Sequence, residues 1–152
     1  MASRFLTDPT ANGVGYPVIA ANSVALSVAD AVYINTSGFM DVASTSSKVL
    51  GFSLDTITAV AGDNQTVAKV CPKYCYPDGV TIVITGDSAC TQTKVGEYAD
   101  LVTTTTGAQV LNGTVGATGQ FFVIGFDPNA DGTTTDYVVM VAEPQQSGYA
   151  QS

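Results

Sequence analysis

The chain has 152 residues, of which 45% are hydrophobic and only 12% charged, and its formal net charge is −8. It contains no tryptophan and no histidine, the side chain best suited to proton transfer near neutral pH and the commonest metal ligand. These features argue against most enzymes and against zinc sites, and five dispersed basic residues argue against a nucleic-acid partner.

Residues 1–22 are predicted to form an extended N-terminal arm outside the β domain. The segment is rich in proline and glycine and has little periodicity, which is typical of an arm or a disordered tail. Its apolar side chains favour an arm that lies on a neighbouring surface. The candidate contact residues of the arm are Phe5, Leu6, Tyr16, Val18 and Ile19. Asp8 and Pro9 precede any long apolar run, so we expect no signal peptide. The net negative charge and the lack of a run of about 20 apolar residues argue against a membrane partner.

From residue 24 onward, short β-branched or aromatic runs alternate with turn residues, a pattern typical of an antiparallel all-β domain. The predicted strands are 24–28, 31–35, 39–42, 48–54, 66–71, 80–85, 98–103, 109–111, 121–126 and 137–142. A proline and a glycine at 77–79 predict a hairpin turn before the strand at 80–85. Short strands without helices indicate a small antiparallel β-barrel or sandwich.

The β domain is predicted to span 23–145, followed by a C-terminal tail at 146–152. A weak internal similarity suggests two related halves, about 23–85 and 86–145. Differences in the spacing of the matched glycines leave hairpin convergence as the alternative.

The best local match to a metal site is the stretch 127–132, with the sequence DPNADG. It matches the opening of a calcium loop, in which Asp127, Asn129 and Asp131 would be the oxygen ligands. The twelfth position is Val138 instead of the bidentate glutamate that such a loop requires. The alternative is a hairpin loop whose acidic side chains cap their own backbone, and no other cofactor is expected.

Other motifs favour structural explanations. The acidic residues Asp30, Asp41 and Asp55 are predicted to form turns, and three spaced glycines at 113–119 are predicted to connect strands instead of cradling phosphate. Three cysteines encode no disulfide framework and are predicted to be buried or half-buried free thiols. The phenylalanines are predicted to lie mainly in the core.

The stretch 27–34 (SVADAVYI), the turn at Ser37 and Gly38, the strand 39–43 (FMDVA) and the stretch 48–52 (KVLGF) together resemble the capsid decoration, or cement, proteins of tailed bacteriophages. The resemblance covers about residues 18–55. It implies a small β-barrel or β-tulip with an N-terminal arm, commonly assembled as a homotrimer. The longer second half, residues 86–152, departs from the short members of that family.

The resemblance implies a structural virion protein, not an enzyme. Such a protein is made in the host cytoplasm, binds the major capsid protein on the outer capsid surface and stabilises contacts between neighbouring capsomers. The alternative is a glycan-binding head-fibre or adhesin module, for which the candidate exposed tyrosines are Tyr33, Tyr74, Tyr76 and Tyr137. The missing tryptophan argues against that alternative.

Overall fold

The computed structural model of the protein describes residues 3–5, 16–45, 47–59, 66–72, 81–102 and 109–142, which form an all-β structure. The strands are β1 (Arg4–Phe5), β2 (Tyr16–Ile19), β3 (Ala25–Leu26), β4 (Ala31–Ile34), β5 (Met40–Val42), β6 (Gly51–Ser53), β7 (Ile57–Thr58), β8 (Val67–Pro72), β9 (Ile82–Thr85), β10 (Tyr98–Ala99), β11 (Leu101–Val102), β12 (Val110–Leu111), β13 (Phe121–Gly125) and β14 (Asp136–Val141). Two 3-10 helices span Gln92–Lys94 and Pro128–Ala130. The predicted all-β class is confirmed. In the described ranges no helix has the length and apolar character needed to cross a bilayer.

The first sheet has the strand order β2-β8-β6-β4-β5, with every strand pair antiparallel. Its two edges meet at a parallel bridge between Ala20 and Met40, where the Ala21 N–H donates to the Met40 carbonyl oxygen at 2.8 Å. The curled sheet and the ribbon β3-β7 surround a first core. Its buried members are Ala20, Ala21, Val24, Leu26, Val32, Met40, Ala59, Ala68 and Val70.

The second sheet has the order β1-β9-β14-β13-β10 and is also antiparallel. Alternation is regular in β14, where Tyr137, Val139 and Val141 are buried and the residues between them are half-buried. The ribbon β11-β12 lies beside this sheet, and its Leu111 forms a bridge with Gly86. The period of two therefore fixes which face of β14 meets the core.

The second core joins the two sheets. The first sheet and its following loops contribute Ala31, Ala43, Val49 and Phe52. The second sheet and its ribbon contribute Ile82, Ile84, Ala99, Leu101, Leu111, Phe121, Val123, Tyr137, Val139 and Val141, together with Cys90. Burial of this size from both sheets makes the described chain one folded body and not two modules on a linker.

Each of the ten predicted strands overlaps an observed one, and the stretch 98–103 contains two, β10 and β11. Strands β1, β2 and β7 were not predicted. The predicted hairpin turn at 77–79 and the predicted tail at 146–152 lie outside the described residues.

The segment 1–22 was expected to lie outside the core, and for its described residues this expectation is wrong. Strands β1 and β2 pair with β9 and β8 of the same chain, and Ala20 and Ala21 are buried in the first core. Two strands of two and four residues are too short to show periodicity. Pro17 also hides β2 from a search for strands, although an edge strand tolerates proline.

The expected boundary after residue 85 does not separate the two sheets. Strand β9 ends at Thr85 but pairs with β1 and β14, so it belongs to the second sheet. The order of strands along the chain also differs between the sheets. Apart from β1, which belongs to the second sheet, the strands of the two sheets are separated along the chain between β8 and β9.

Candidate interaction surface

The five candidate contact residues of the arm do not form one surface. Phe5 packs edge-on against Phe52, with 6.1 Å between ring centroids, so it covers the second core. Val18 is half-buried against the first core, whereas Ile19 is 42% exposed. Leu6 and the side chain of Tyr16 lie outside the described residues. Only Ile19 of the described candidates is therefore available to a partner.

Ile19 lies opposite Val67, which is 54% exposed and the most exposed large apolar residue described. The Ala20 N–H donates to the Thr66 carbonyl oxygen at 2.8 Å, so the hydrogen-bonded pairs of this ladder include Ala20 with Thr66. Because such pairs alternate, Ile19 and Val67 form a non-hydrogen-bonded pair, the kind in which facing side chains approach most closely. The two side chains make one apolar patch.

The residues of this patch belong to one face of the ladder β2-β8. We call it the open face and define it as Pro17, Ile19, Val67 and Lys69, four residues that pair two by two. Neighbouring residues of the same strands point the other way, into the first core. The open face is thus the solvent side of a strand pair whose other side packs on the first core.

The open face continues into the interface between the two sheets. Val67, Lys69 and Cys71 are alternate residues of β8 and therefore lie on one side of the sheet. Cys71 pairs with Phe52 of β6, so Phe52 lies on that side as well. Phe52 is fully buried in the second core and covered by Phe5. The second half of the chain therefore covers this side of the sheet at Phe52 and leaves it uncovered at Ile19 and Val67.

Lys69 gives the open face a positive charge. Its side chain is exposed and forms no ion pair with any described residue, although its N–H donates to Asp55 Oδ2 at 2.7 Å. Arg4, by contrast, contacts Asp136 at 3.3 Å. Most described carboxylates lie in the other half of the molecule, at Asp87, Glu97, Asp100, Asp127, Asp131 and Asp136. The open face is a cationic and apolar area on an acidic protein.

Two buried glutamines hold the second half against the main chain of the first. Gln109 Oε1 accepts the Ala31 N–H at 2.7 Å, and its Nε2 donates to the carbonyl oxygens of Ala31 and Ala43 at 2.9 and 3.0 Å. Ala31 is the first residue of β4, and Ala43 follows β5. The amide therefore supplies a main-chain-like pairing at the end of the first sheet.

Gln120 makes a second clamp. Its Oε1 accepts the Leu101 N–H at 2.9 Å, and its Nε2 donates to the carbonyl oxygens of Ser44 and Ser47 at 2.7 and 2.8 Å. The Thr45 hydroxyl donates to the Leu101 carbonyl oxygen at 2.8 Å in the same region. These bonds satisfy main-chain groups of Leu101, Ser44 and Ser47, and they fix the loop after β5.

Asp30 closes the turn before β4. Its N–H donates to the Ser27 carbonyl oxygen at 3.1 Å, and its Oδ2 accepts the Ser27 N–H at 2.8 Å. Ala29, in the middle of this turn, has a φ of 72°. Burial raises the pKa of the Asp30 carboxyl, and the hydrogen bond from Ser27 opposes that rise. The carboxylate is thus a turn former, as predicted.

The other two acidic candidates also bind main-chain groups. Asp41 Oδ1 accepts the Val42 N–H at 2.8 Å, and the Asp55 side chain accepts the Lys69 N–H. Asp41 lies within strand β5, so the prediction that it forms a turn is wrong, whereas Asp55 lies in the bend that follows β6.

The stretch 127–132 contains a 3-10 turn that Asp127 caps with its own side chain, while Asp131 binds the main chain of another segment. Asp127 Oδ1 accepts the Asn129 N–H at 3.0 Å, and Asp131 Oδ1 accepts the Gln92 N–H at 3.2 Å. Among the described residues, no three His, Cys, Asp or Glu side chains are grouped as metal ligands would be. The capping of its own backbone expected as the alternative is present at Asp127 but not at Asp131, and calcium binding by Asp127, Asn129 and Asp131 stays a prediction.

The spaced glycines join strands in the described structure. The Gly113 N–H donates to Asp87 Oδ1 at 2.7 Å, so a carboxylate occupies the position where a phosphate would have to bind. Gly116 exchanges two main-chain hydrogen bonds with Tyr98, and a Cβ on Gly119 would lie 2.8 Å from the Ala99 nitrogen. The prediction of a strand connection is confirmed.

The aromatic residues offer little platform for a sugar. Tyr137, expected to be exposed, is fully buried, and its hydroxyl donates to the Ser88 carbonyl oxygen at 3.0 Å. That expectation was wrong because Tyr137 occupies an inward position of β14, where a loop carbonyl can satisfy the hydroxyl. Tyr33 is half-buried against the second core. Tyr74 and Tyr76 lie outside the described residues.

The phenylalanines largely follow the prediction of core packing. Phe52 and Phe121 are fully buried, and Phe39 and Phe126 pack partly buried against the first and second cores. Phe122 lies instead on the other face of β13, in edge contact with Tyr98 at 5.2 Å between ring centroids.

Cys90 is a buried free thiol, as predicted. Burial raises the pKa of this thiol, while the nearby charge of Lys94 acts in the opposite direction. The side chains of Cys71 and Cys75 lie outside the described residues.

The chain matches no protein-family model, no curated protein and no solved structure at a significant level.

Proposed function

We propose that the chain is a structural virion protein that binds the outer surface of a tailed-phage capsid and stabilises contacts between neighbouring capsomers. The observation that supports this proposal best is the open face, a cationic and apolar surface on an otherwise acidic protein. Ile19 and Val67 face each other across paired strands while both stay exposed, and Lys69 lies beside them on the same face. The protein is made in the host cytoplasm, acts as a homotrimer and has the major capsid protein as its partner.

The rigid scaffold also supports a structural role. The six hydrogen bonds of the two glutamines and the shared second core join both halves into one body, which suits a protein that must resist force without changing shape. The local resemblance of residues 18–55 to capsid decoration proteins adds the identity of the partner.

Co-sedimentation tests this proposal. Purified protein is mixed with undecorated heads of the same virus, and the bound fraction is measured after centrifugation through a sucrose cushion across a range of salt concentrations. We expect saturable binding with a fixed ratio to the major capsid protein. Failure to associate at every salt concentration, combined with binding on a glycan array, would replace this proposal by an adhesin module.

A further inference from the structure

We propose that the open face is the surface that contacts the capsid shell, and that the shell subunit meets it with an apolar side chain beside a carboxylate. This inference rests on the proposed function and adds where the protein binds and what chemistry the partner presents.

The apolar side chains of the open face are incompletely buried. Ile19 and Val67 are 42% and 54% exposed although they face each other on paired strands, so mutual contact does not remove them from water. The same side of the sheet is fully covered at Phe52, where the second half of the chain packs. A partner seated on the open face would extend an apolar interface that the fold already begins.

The open face also carries a positive charge. Lys69 is exposed, forms no ion pair with the described residues and follows Val67 by two positions on the same face. A carboxylate-bearing surface would be repelled by most of a molecule of net charge −8. At the open face it would meet the ammonium group of Lys69, and such complementarity directs orientation and suppresses other contacts.

The other exposed large apolar residues stand singly. Ile124, 38% exposed, lies on β13 of the second sheet, and Val28, 45% exposed, lies in the turn before β4. Neither has an exposed large apolar residue as its ladder partner. Among the described residues, Ile19 and Val67 are the pair of exposed large apolar residues that face each other across two strands. Single exposed apolar residues, by contrast, are ordinary on soluble proteins.

The test measures head binding of two full-length variants and a matched control. Val67→Lys places a charge in the apolar patch, Lys69→Glu reverses the complementary charge, and Ile124→Lys makes the same change as the first variant at a similarly exposed site in the other sheet. We expect the first two to weaken binding about tenfold or more, as for central interface residues, and the control to bind like the wild type. Lys69→Arg should also bind like the wild type.

Circular dichroism and thermal unfolding establish that each variant folds. If Val67→Lys does not fold, Val67→Thr keeps the β-branched shape, removes part of the apolar surface and is expected to weaken binding less strongly. If the wild type binds heads and both Val67→Lys and Lys69→Glu bind equally well, this inference is overturned, but the proposed function is not. A wild-type protein that does not bind heads removes both.

The mass of the free protein, measured by light scattering, separates the shell from a second copy of the chain. We expect Val67→Lys and the wild type to have the same mass. If Val67→Lys lowers the mass, the open face is occupied by another copy, and the inference is overturned.

Discussion

Replacing Gln120 by alanine removes a clamp between the two halves. Gln120 is 1% exposed, and its side chain makes three hydrogen bonds to main-chain groups of Leu101, Ser44 and Ser47. A buried hydrogen bond contributes roughly 1 kcal/mol, and an orphaned buried partner costs about 1–3 kcal/mol. Loss of the side-chain volume adds a cavity. We expect the free energy of unfolding to fall by about 3–5 kcal/mol, a large part of the ~5–15 kcal/mol typical of a domain.

The assay is equilibrium unfolding in urea, followed by far-ultraviolet circular dichroism and tyrosine fluorescence. Gln92→Ala is the matched control, because Gln92 is exposed in a 3-10 helix and should change stability by less than about 0.5 kcal/mol. Gln120→Glu keeps the size but places a carboxylate against the carbonyl oxygens of Ser44 and Ser47, so its loss should be greater at pH 7 than at acidic pH. A Gln120→Ala change below 1 kcal/mol would refute the clamp.

Three further predictions concern the fold. Gly86→Ala should lower the free energy of unfolding in urea by ~1–3 kcal/mol, because the new Cβ would overlap the buried ring of Tyr137. Gly125→Ala has open space around the new Cβ and should change it by less than about 1 kcal/mol. Equal losses in the two variants would contradict this. Burial raises the folded-state pKa of Asp30, so its charged form lowers the stability of the fold as pH rises above about 3.9. Asp30→Asn should therefore be more stable than the wild type at pH 7 and lose that advantage at acidic pH. A stability difference that does not change with pH would contradict this. Deleting residues 1–20 should abolish cooperative thermal unfolding, because it removes β1 and β2. An unchanged melting curve would show instead that this segment is an arm separate from the fold.

Much of the strand pattern was predictable because it depends on local chemistry. The β-branched runs and turn glycines locate ten strands, and the alternation in β14 locates its buried face. Strands β1 and β2 were missed because their stability comes from pairing with β9 and β8, far away in sequence, and not from their own residues.

Of the four residues that define the open face, the sequence pointed to one. Ile19 was identified from its apolar character in a proline-rich segment, but Val67 and Lys69 were not. In the stretch 66–71 Val67 alternates with Lys69, which indicates the solvent side, but a single exposed valine is ordinary and gives no reason to select it as a contact residue. Its pairing with Ile19, which makes the apolar patch, depends on the register with β2, and register is a tertiary property.

The glutamine clamps were not predictable at all. Gln109 and Gln120 stand in polar, glycine-rich surroundings where a solvent-exposed amide is the ordinary expectation. Their burial follows from unpaired main-chain groups after β5 and near β11, which only the assembled fold brings within reach.

The most direct test of the account is the temperature at which DNA-filled heads release their DNA, followed with an intercalating dye. Undecorated heads are heated with and without saturating protein, and Gln92→Ala serves as a folded reference variant. We expect bound protein to raise the release temperature, and to raise it in proportion to the number of copies bound per head. If heads release their DNA at the same temperature with and without added protein, the claim that this chain stabilises an assembled capsid is contradicted, whether or not the protein has bound.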